Sequence, residues 1–269
     1  MTDYRTATWR LIRSRPTDGA MNMAIDEAIL RAVARGEVSP ALRLYSWEPP
    51  CLSLGRGQPV DDVARAALEA AGYDLVRRPT GGRAILHIDE LTYSVIVPHG
   101  DPRVTGSVVE SYRGLSSGLM RAMELLGVPN LVADQRAENR RDEGPVCFEV
   151  PSDYEITAGG RKLVGSAQMR ARGVVLQHGT VPLHGDIARI CSVLIQHPDP
   201  AGVRARATTV ERARGLPVSW EDAAEAMAQG FSEMLNLQLA PADLTAGERA
   251  AARELRDEKY ATREWTTAI

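Results

Sequence analysis

Two hydrophobic rhythms interleave along this chain, one alternating every second residue and one recurring every three to four. The run "TWRLIRS" alternates apolar and polar positions and predicts a strand. Residues 17–37 set Met21, Ile25, Ala28 and Ile29 on one helical face, with Asp18 as N-cap and Gly36 as stop. "ALRLYSW" and "CLSLGR" predict two strands joined at Pro49–Pro50. "PVDDVARAALEAAG" predicts an amphipathic helix ending at Gly72. "YDLVRRP" and "RAILHIDELTYSVIVP" predict strands around a Gly81–Gly82 turn. The longest helix is expected over 104–127, stopped by Gly127 and Pro129.

Residues 153–183 predict a strand meander with hairpin turns at Gly159–Gly160 and Arg172–Gly173. After Pro182 the spacing becomes helical, first in "DIARICSVLI" and then in "SWEDAAEAMAQGFSEMLN", where Ser219 is the N-cap. A last helix over 245–265 is expected to pack through Leu255, Tyr260 and Trp265. Strands and helices mix without a regular βαβ rhythm, and there is no internal repeat. The pattern predicts an α+β fold with a mixed, partly antiparallel sheet, not a doubly wound nucleotide fold.

Composition narrows the function classes. A chain of 269 residues suits one large domain or two small ones. With 44% apolar and 25% charged residues it is ordinary for a globular protein. A net charge of -3 gives no electrostatic reason to expect nucleic acid or an anionic membrane, although local basic clusters remain able to hold phosphates. No apolar run reaches membrane-spanning length, and the polar N-terminus carrying Asp3 does not read as a signal peptide, so the expected compartment is the cytoplasm. Cys51, Cys147 and Cys191 lack C-x-x-C spacing, which argues against a disulfide framework or a metal site.

Each cysteine is therefore either core or reactive thiol. Cys51 and Cys191 sit in apolar runs and read as structural. Cys147, in "DEGPVCF", has a loop setting that favours exposure, with Lys162 fifteen positions later in a Gly-Gly-Arg-Lys turn. A free thiol with a pKa near 8.5 is about 3% thiolate at pH 7. A lysine ammonium at contact distance interacts by roughly 4 kcal/mol at an effective dielectric of about 20, enough to lower that pKa by more than one unit. Sequence separation alone leaves both readings of Cys147 open. "RRPTGGRAILH" holds Arg77, Arg78, Gly81, Gly82, Arg83 and His87. It is either a hairpin turn with solvated arginines or a close-approach loop that holds an anionic or carbonyl group. It is neither a Walker loop nor a dinucleotide fingerprint. His178, in "LQHGTVPL", is either a ligand contact or a hydrogen-bonded strand histidine.

Taken together, "MNMAIDEAIL", "LSLGRGQ", "RRPTGGRAILH", "ELTYSVIVP", "CFEVPSDYEI", "GRKLVGSAQ", "GVVLQHGT" and the closing "LRDEKY" and "EW" resemble the lipoate–protein ligase and octanoyltransferase superfamily. Their order covers nearly the whole chain. The likeness is strongest to octanoyltransferases of the Gram-positive type. The resemblance implies a biotin/lipoate ligase-like catalytic domain over 1–238, with a helical tail over 239–269 packed on it. It implies that Cys147 is the nucleophile and Lys162 its helper. It implies that the Arg77–His87 segment lines an acyl pocket together with Gly165, Ser166 and Ala167. The implied donor is octanoyl acyl carrier protein, the implied acceptor is a lipoyl-domain lysine, chiefly of glycine-cleavage H protein, and no cofactor is called for. Related sequences commonly place an aspartate directly after the histidine, whereas here Ile88 follows His87 and Asp89 comes next. The rival functions are an ATP-dependent lipoate ligase, an amidotransferase between lipoyl domains, and a non-catalytic binder of carrier or lipoyl domains.

Overall fold

In the computed structural model, which describes residues 4–134 and 155–268, the chain builds two separate sheets. β1 (Ala7–Arg13) leads to α1 (Gly19–Ala34), β2 (Ala41–Tyr45) and β3 (Cys51–Leu54). A 3-10 turn (Val60–Asp62) and α2 (Arg65–Ala70) precede β4 (Asp74–Arg77), β5 (Ile85–His87), β6 (Glu90–Pro98) and α3 (Val108–Leu125). β7 (Leu131–Asp134), β8 (Glu155–Ala158), β9 (Arg161–Ala171) and β10 (Val174–Pro182) follow, and then a 3-10 helix (Ile187–Val193). The rest is α4 (Pro200–Arg206), α5 (Val210–Arg214), α6 (Trp220–Leu235), β11 (Leu237–Pro241), α7 (Ala246–Leu255), a π turn (Arg256–Tyr260) and α8 (Arg263–Thr267).

The large sheet has eight strands in the order β11-β1-β2-β6-β10-β9-β8-β7, and the small one has three in the order β4-β3-β5. β1 pairs in parallel with β11 and β2, and the remaining ladders of the large sheet are antiparallel. Side chains on β6 alternate between its faces. Tyr93, Val95 and Val97 join the core under α3 and α6, whereas Ile96 faces the core under α1 and α7. Glycine permits the closest helix contact: a Cβ on Gly230 would lie 2.5 Å from the Gly118 carbonyl oxygen and 2.6 Å from Ala122 N. Helix ends follow local chemistry. Asp18 accepts from Met21 N at 2.7 Å, and Ser107 and Glu110 form a reciprocal capping box.

The mixed α/β class, the meander and its two glycine turns match the expectation from the chain. Four local elements differ. The expected helix over residues 59–72 splits, because Val63 is extended (φ -94°, ψ 124°) and bridges to Leu194, leaving only Arg65–Ala70 helical. "DIARICSVLI" forms a 3-10 helix, and the closing helix is broken by the π turn. Gly81–Gly82 is not a hairpin turn: β4 and β5 do not pair, because β3 lies between them, parallel to β4 and antiparallel to β5. That insertion frees the 78–84 loop to face the large sheet. Residues 239–241 belong to β11, so position 238 falls inside a strand that pairs with β1. Among the described residues no helix is long and apolar enough to cross a membrane.

Candidate active site

A narrow cavity lies between the two sheets. One wall comes from the large sheet and α1, with Met23, Thr92, Gly165, Ala167, His178 and Thr180. The other comes from the small sheet and its loop, with Ser53, Arg78, Gly82, Ile85 and His87. Tyr45 and Trp47 lie deep in it, 0% and 6% exposed, whereas Gly82 is exposed and marks the mouth. A more open groove between α6 and β11 carries none of the candidate residues.

Two hydroxyl–imidazole–carboxylate chains brace the cavity. In the first, His87 Nδ1 donates to Glu90 Oε1 at 2.6 Å, and the Ser53 hydroxyl lies 2.8 Å from Nε2. Thr92 and Thr180 also donate to the Glu90 carboxylate, and Trp47 stacks on His87 with ring centroids 4.0 Å apart. Arg78 Nη1 donates to Ser53 Oγ at 3.1 Å. Its other donors hold the Gly81 and Arg83 carbonyls, each at 2.8 Å from Nη2, which shapes the loop.

In the second, the His178 ring lies between Thr80 Oγ1 (2.6 Å from Nε2) and Asp26 Oδ2 (3.4 Å from Nδ1). Burial holds His178 below its ordinary value of 6.5 and outweighs the attraction of Asp26, so the ring is neutral near pH 7. Its Nδ1–H therefore donates to the carboxylate, and Nε2 accepts from Thr80. Burial pushes the Asp26 carboxyl up, but the Arg43 guanidinium and the hydrogen bonds from His178 and Arg43 bring it below 3.8. Because these polar groups bond to one another, the surface left facing the slot is mainly apolar. A slot so lined suits an apolar guest better than a polar one.

The structure brings Arg78, Gly82, His87, Gly165, Ser166 and Ala167 together on this cavity. Gly82 has φ +94°, and a Cβ there would stand 2.8 Å from Arg78 Nη2. Gly81 and Arg83 flank the cavity and contribute the carbonyls held by Arg78. Arg77 is 0% exposed and points elsewhere, donating to the carbonyls of Gly55, Gln58 and Thr266. Lys162 is 4% exposed on β9, three residues before Gly165, and its carbonyl accepts from Thr208 N at 2.9 Å. Cys147 lies outside the described residues.

Asp89 belongs to a separate hollow, where it pairs with Arg189, and the carboxylate that serves His87 is Glu90. Asp26, Ser53, Thr80, Glu90, Thr92 and Thr180 were not foreseen as site residues. For Ser53, Thr92 and Thr180 the signal is a polar residue alternating with apolar ones inside an otherwise buried strand, as in "LTYSV" and "HGTV". Burial pushes the Cys51 thiol well above 9.0, so Cys51 is an inert core residue, and Cys191 packs with Ile190 and Val193. Among the described residues, no cluster of three or more His, Cys, Asp or Glu side chains is arranged to hold a metal ion.

Known proteins match this architecture. The family model for the lipoyl protein ligase A/B catalytic domain matches residues 18–232. An octanoyltransferase LipM from Kyrpidia tusciae is 46% identical, covering 96% of this chain and 98% of its own. The octanoyltransferase LipM of Staphylococcus aureus is 38% identical, covering 97% and 98%. Among solved structures, the putative lipoate protein ligase Ta0514 of T. acidophilum with bound lipoic acid superposes with a TM-score of 0.80 at 28% identity, covering 97% of this chain and 100% of its own. A family model spanning most of the chain, full-length relatives and a shared fold agree, and the chain belongs to the lipoyl protein ligase A/B catalytic-domain family.

Proposed function

We propose that this protein is an octanoyltransferase of protein lipoylation, acting in the cytoplasm. It takes an octanoyl group from octanoyl acyl carrier protein onto Cys147 and passes it to a lipoyl-domain lysine, chiefly of glycine-cleavage H protein. The observation that carries the reading is full-length likeness to octanoyltransferases at up to 46% identity, combined with a slot whose exposed lining is mainly apolar. The reaction is two acyl transfers through a covalent intermediate. The Cys147 thiolate attacks the donor thioester, backbone N–H groups stabilise the tetrahedral oxyanion, and the carrier leaves as a thiol after taking up a proton. The acceptor amine then attacks the acyl-cysteine, loses its proton and forms an amide. Lys162 holds the charge of the thiolate in the first step and hydrogen-bonds the acyl carbonyl or relays the amine proton in the second. Arg78 and Gly82 shape the mouth, and Gly165, Ser166 and Ala167 leave room for the chain.

Thioester to thioester is nearly balanced and thioester to amide is downhill, so the reading requires no ATP. Intact mass after mixing with octanoyl carrier protein, without ATP, tests it. One octanoyl group removable by hydroxylamine is expected. ATP/pyrophosphate exchange with free octanoate and no such adduct would establish a ligase instead. Transfer only from acylated H protein would establish an amidotransferase.

Gly82→Val places a branched side chain at φ +94° and against Arg78. It is expected to lower stability by about 1–3 kcal/mol, and acyl transfer on the order of 10²-fold by displacing the loop. Urea unfolding and transfer kinetics on the same preparation check this. Wild-type transfer by a destabilised variant would make Gly82 a turn residue only.

A further inference from the structure

The two walls of the cavity belong to sheets whose strands do not pair, so their separation must be set by something else. Residues 256–267 touch both. On the α1 side, Lys259 Nζ and Tyr260 Oη each donate to Glu27 Oε2 at 2.6 Å, and Arg256 pairs with Asp18 at 3.1 Å. Glu27 adjoins Asp26, which holds His178, and Met23 one turn earlier lines the slot. On the small-sheet side, Arg77 donates to the Thr266 carbonyl through Nε (3.0 Å) and Nη2 (2.8 Å). Arg77 Nη1 holds the Gly55 and Gln58 carbonyls at 2.8 and 2.7 Å. Trp265 Nε1 donates to the Arg77 carbonyl at 2.8 Å, and its ring carries the Arg56 guanidinium at 4.3 Å and Lys259 Nζ at 4.2 Å.

The 55–58 turn then carries this anchorage to the mouth. Arg56 N donates to the Thr80 carbonyl at 2.8 Å, and Gly55 lies so close that a Cβ would strike the Gly82 carbonyl oxygen. Thr80 is the residue that bonds His178 across the slot. An unbroken line of contacts thus runs from α1 through residues 256–267 to the 80–82 loop.

We infer that residues 256–267 clamp the two walls of the cavity at a fixed spacing, which makes Trp265 and Arg77 positioning residues for the acyl chain. The clamp accounts for a fully buried arginine on β4 whose donors reach two distant segments instead of the cavity. It rests on the proposed acyl transfer for its kinetic consequence but not for its structural one.

The test compares the wild type with Trp265→Ala and Trp265→Phe. The phenylalanine keeps a ring under Arg56 and Lys259 and loses only the N–H. Hydrogen exchange of the 80–87 amides reports the clamp without any substrate. Titration of octanoyl carrier protein gives KM and kcat separately. Trp265→Ala is expected to accelerate exchange at 80–87 and raise KM about tenfold with kcat changed much less, as lost hydrogen-bond and cation–π contacts imply. Trp265→Phe is expected to fall between, within about threefold of wild type in KM. If Trp265→Ala lowers the melting temperature yet leaves exchange at 80–87 and KM at wild-type values, the segment is a staple only and the inference is overturned. If wild type never acquires an octanoyl group, the proposed function fails, and the exchange comparison still decides the clamp. Should Trp265→Ala not fold, unchanged exchange in Trp265→Phe overturns the inference and acceleration supports it.

Discussion

Cys147→Ala is expected to abolish acyl loading and to lower transfer on the order of 10⁴–10⁶-fold, the range seen when a covalent nucleophile is removed. The variant retains the slot, so octanoyl carrier protein should still bind it, and loss of chemistry with retained binding is the diagnostic pair. Lys162→Ala should approach the same loss by a different route. On the proposed pairing of Lys162 with Cys147, loss of the ammonium should return the thiol toward its free value near 8.5. The midpoint of its alkylation by iodoacetamide should then move to higher pH. Lys162→Arg keeps the charge but cannot give up a proton, so it should preserve the low alkylation midpoint and still fail in transfer to the acceptor amine. An alkylation midpoint unchanged in Lys162→Ala would assign the thiolate's charge partner elsewhere, with Arg78 and Arg161 the next cations to replace.

The largest loss of stability is expected at Asp26. Its carboxylate is 0% exposed and accepts from Arg43 Nη1 (2.7 Å), Ser94 Oγ (2.8 Å), Tyr45 Oη (3.1 Å) and His178 Nδ1 (3.4 Å). Asp26→Ala leaves the buried Arg43 guanidinium with Asn22 and Ser14 as its hydrogen-bond partners and the Tyr45 ring beneath it. Removing one member of a buried pair typically costs about 3–5 kcal/mol. A fall in the urea midpoint at constant slope checks it, and a change under about 1 kcal/mol would contradict the assignment. The pH dependence has a definite sign. Asp26 titrates lower in the folded protein than its ordinary 3.8, so its contribution is present above 3.8 and is lost as pH falls through the folded value. His178 titrates below 6.5 when folded, so the unfolded chain takes up that proton first. Stability therefore declines as pH falls from 6.5 toward the folded value of His178, and this part of the acid limb should disappear in His178→Gln.

The order of elements was legible because period-two and period-3.6 patterns are local, and so were the caps at Asp18 and Ser219. Strand neighbours were not. Nothing near Gly81–Gly82 records that β3, thirty residues upstream, lies between β4 and β5. Within the site, residue spacing alone left the Arg77–His87 segment open between a turn and a close-approach loop, and only the family resemblance pointed to it and to Gly165–Ala167 as pocket lining. Arg77 and Arg78 look equivalent in sequence but leave the end of β4 on opposite sides, one toward Thr266 and one toward Ser53. Asp26 and Glu90 were not readable, because a carboxylate inside an apolar run acquires meaning only from the arginine, hydroxyls and imidazoles that tertiary folding gathers around it.

The separation of the two sheets also governs how a guest gets in. Strand ladders close each wall on itself, whereas the walls meet across the slot through side chains, notably Thr80 with His178 and His87 with Glu90. Parting them breaks hydrogen bonds worth about 0.5–1.5 kcal/mol each, or roughly 1.5–3 where a carboxylate accepts, and leaves every backbone ladder intact. On the proposed reading, admission of an alkyl chain is therefore opposed by these bonds, by the 256–267 clamp and by the packing of Cys51 and Val76 against α1, not by backbone ladders. A substitution that stiffens either sheet can raise the melting temperature without slowing entry, whereas one that tightens the side-chain seam should slow entry as well as stabilise the fold.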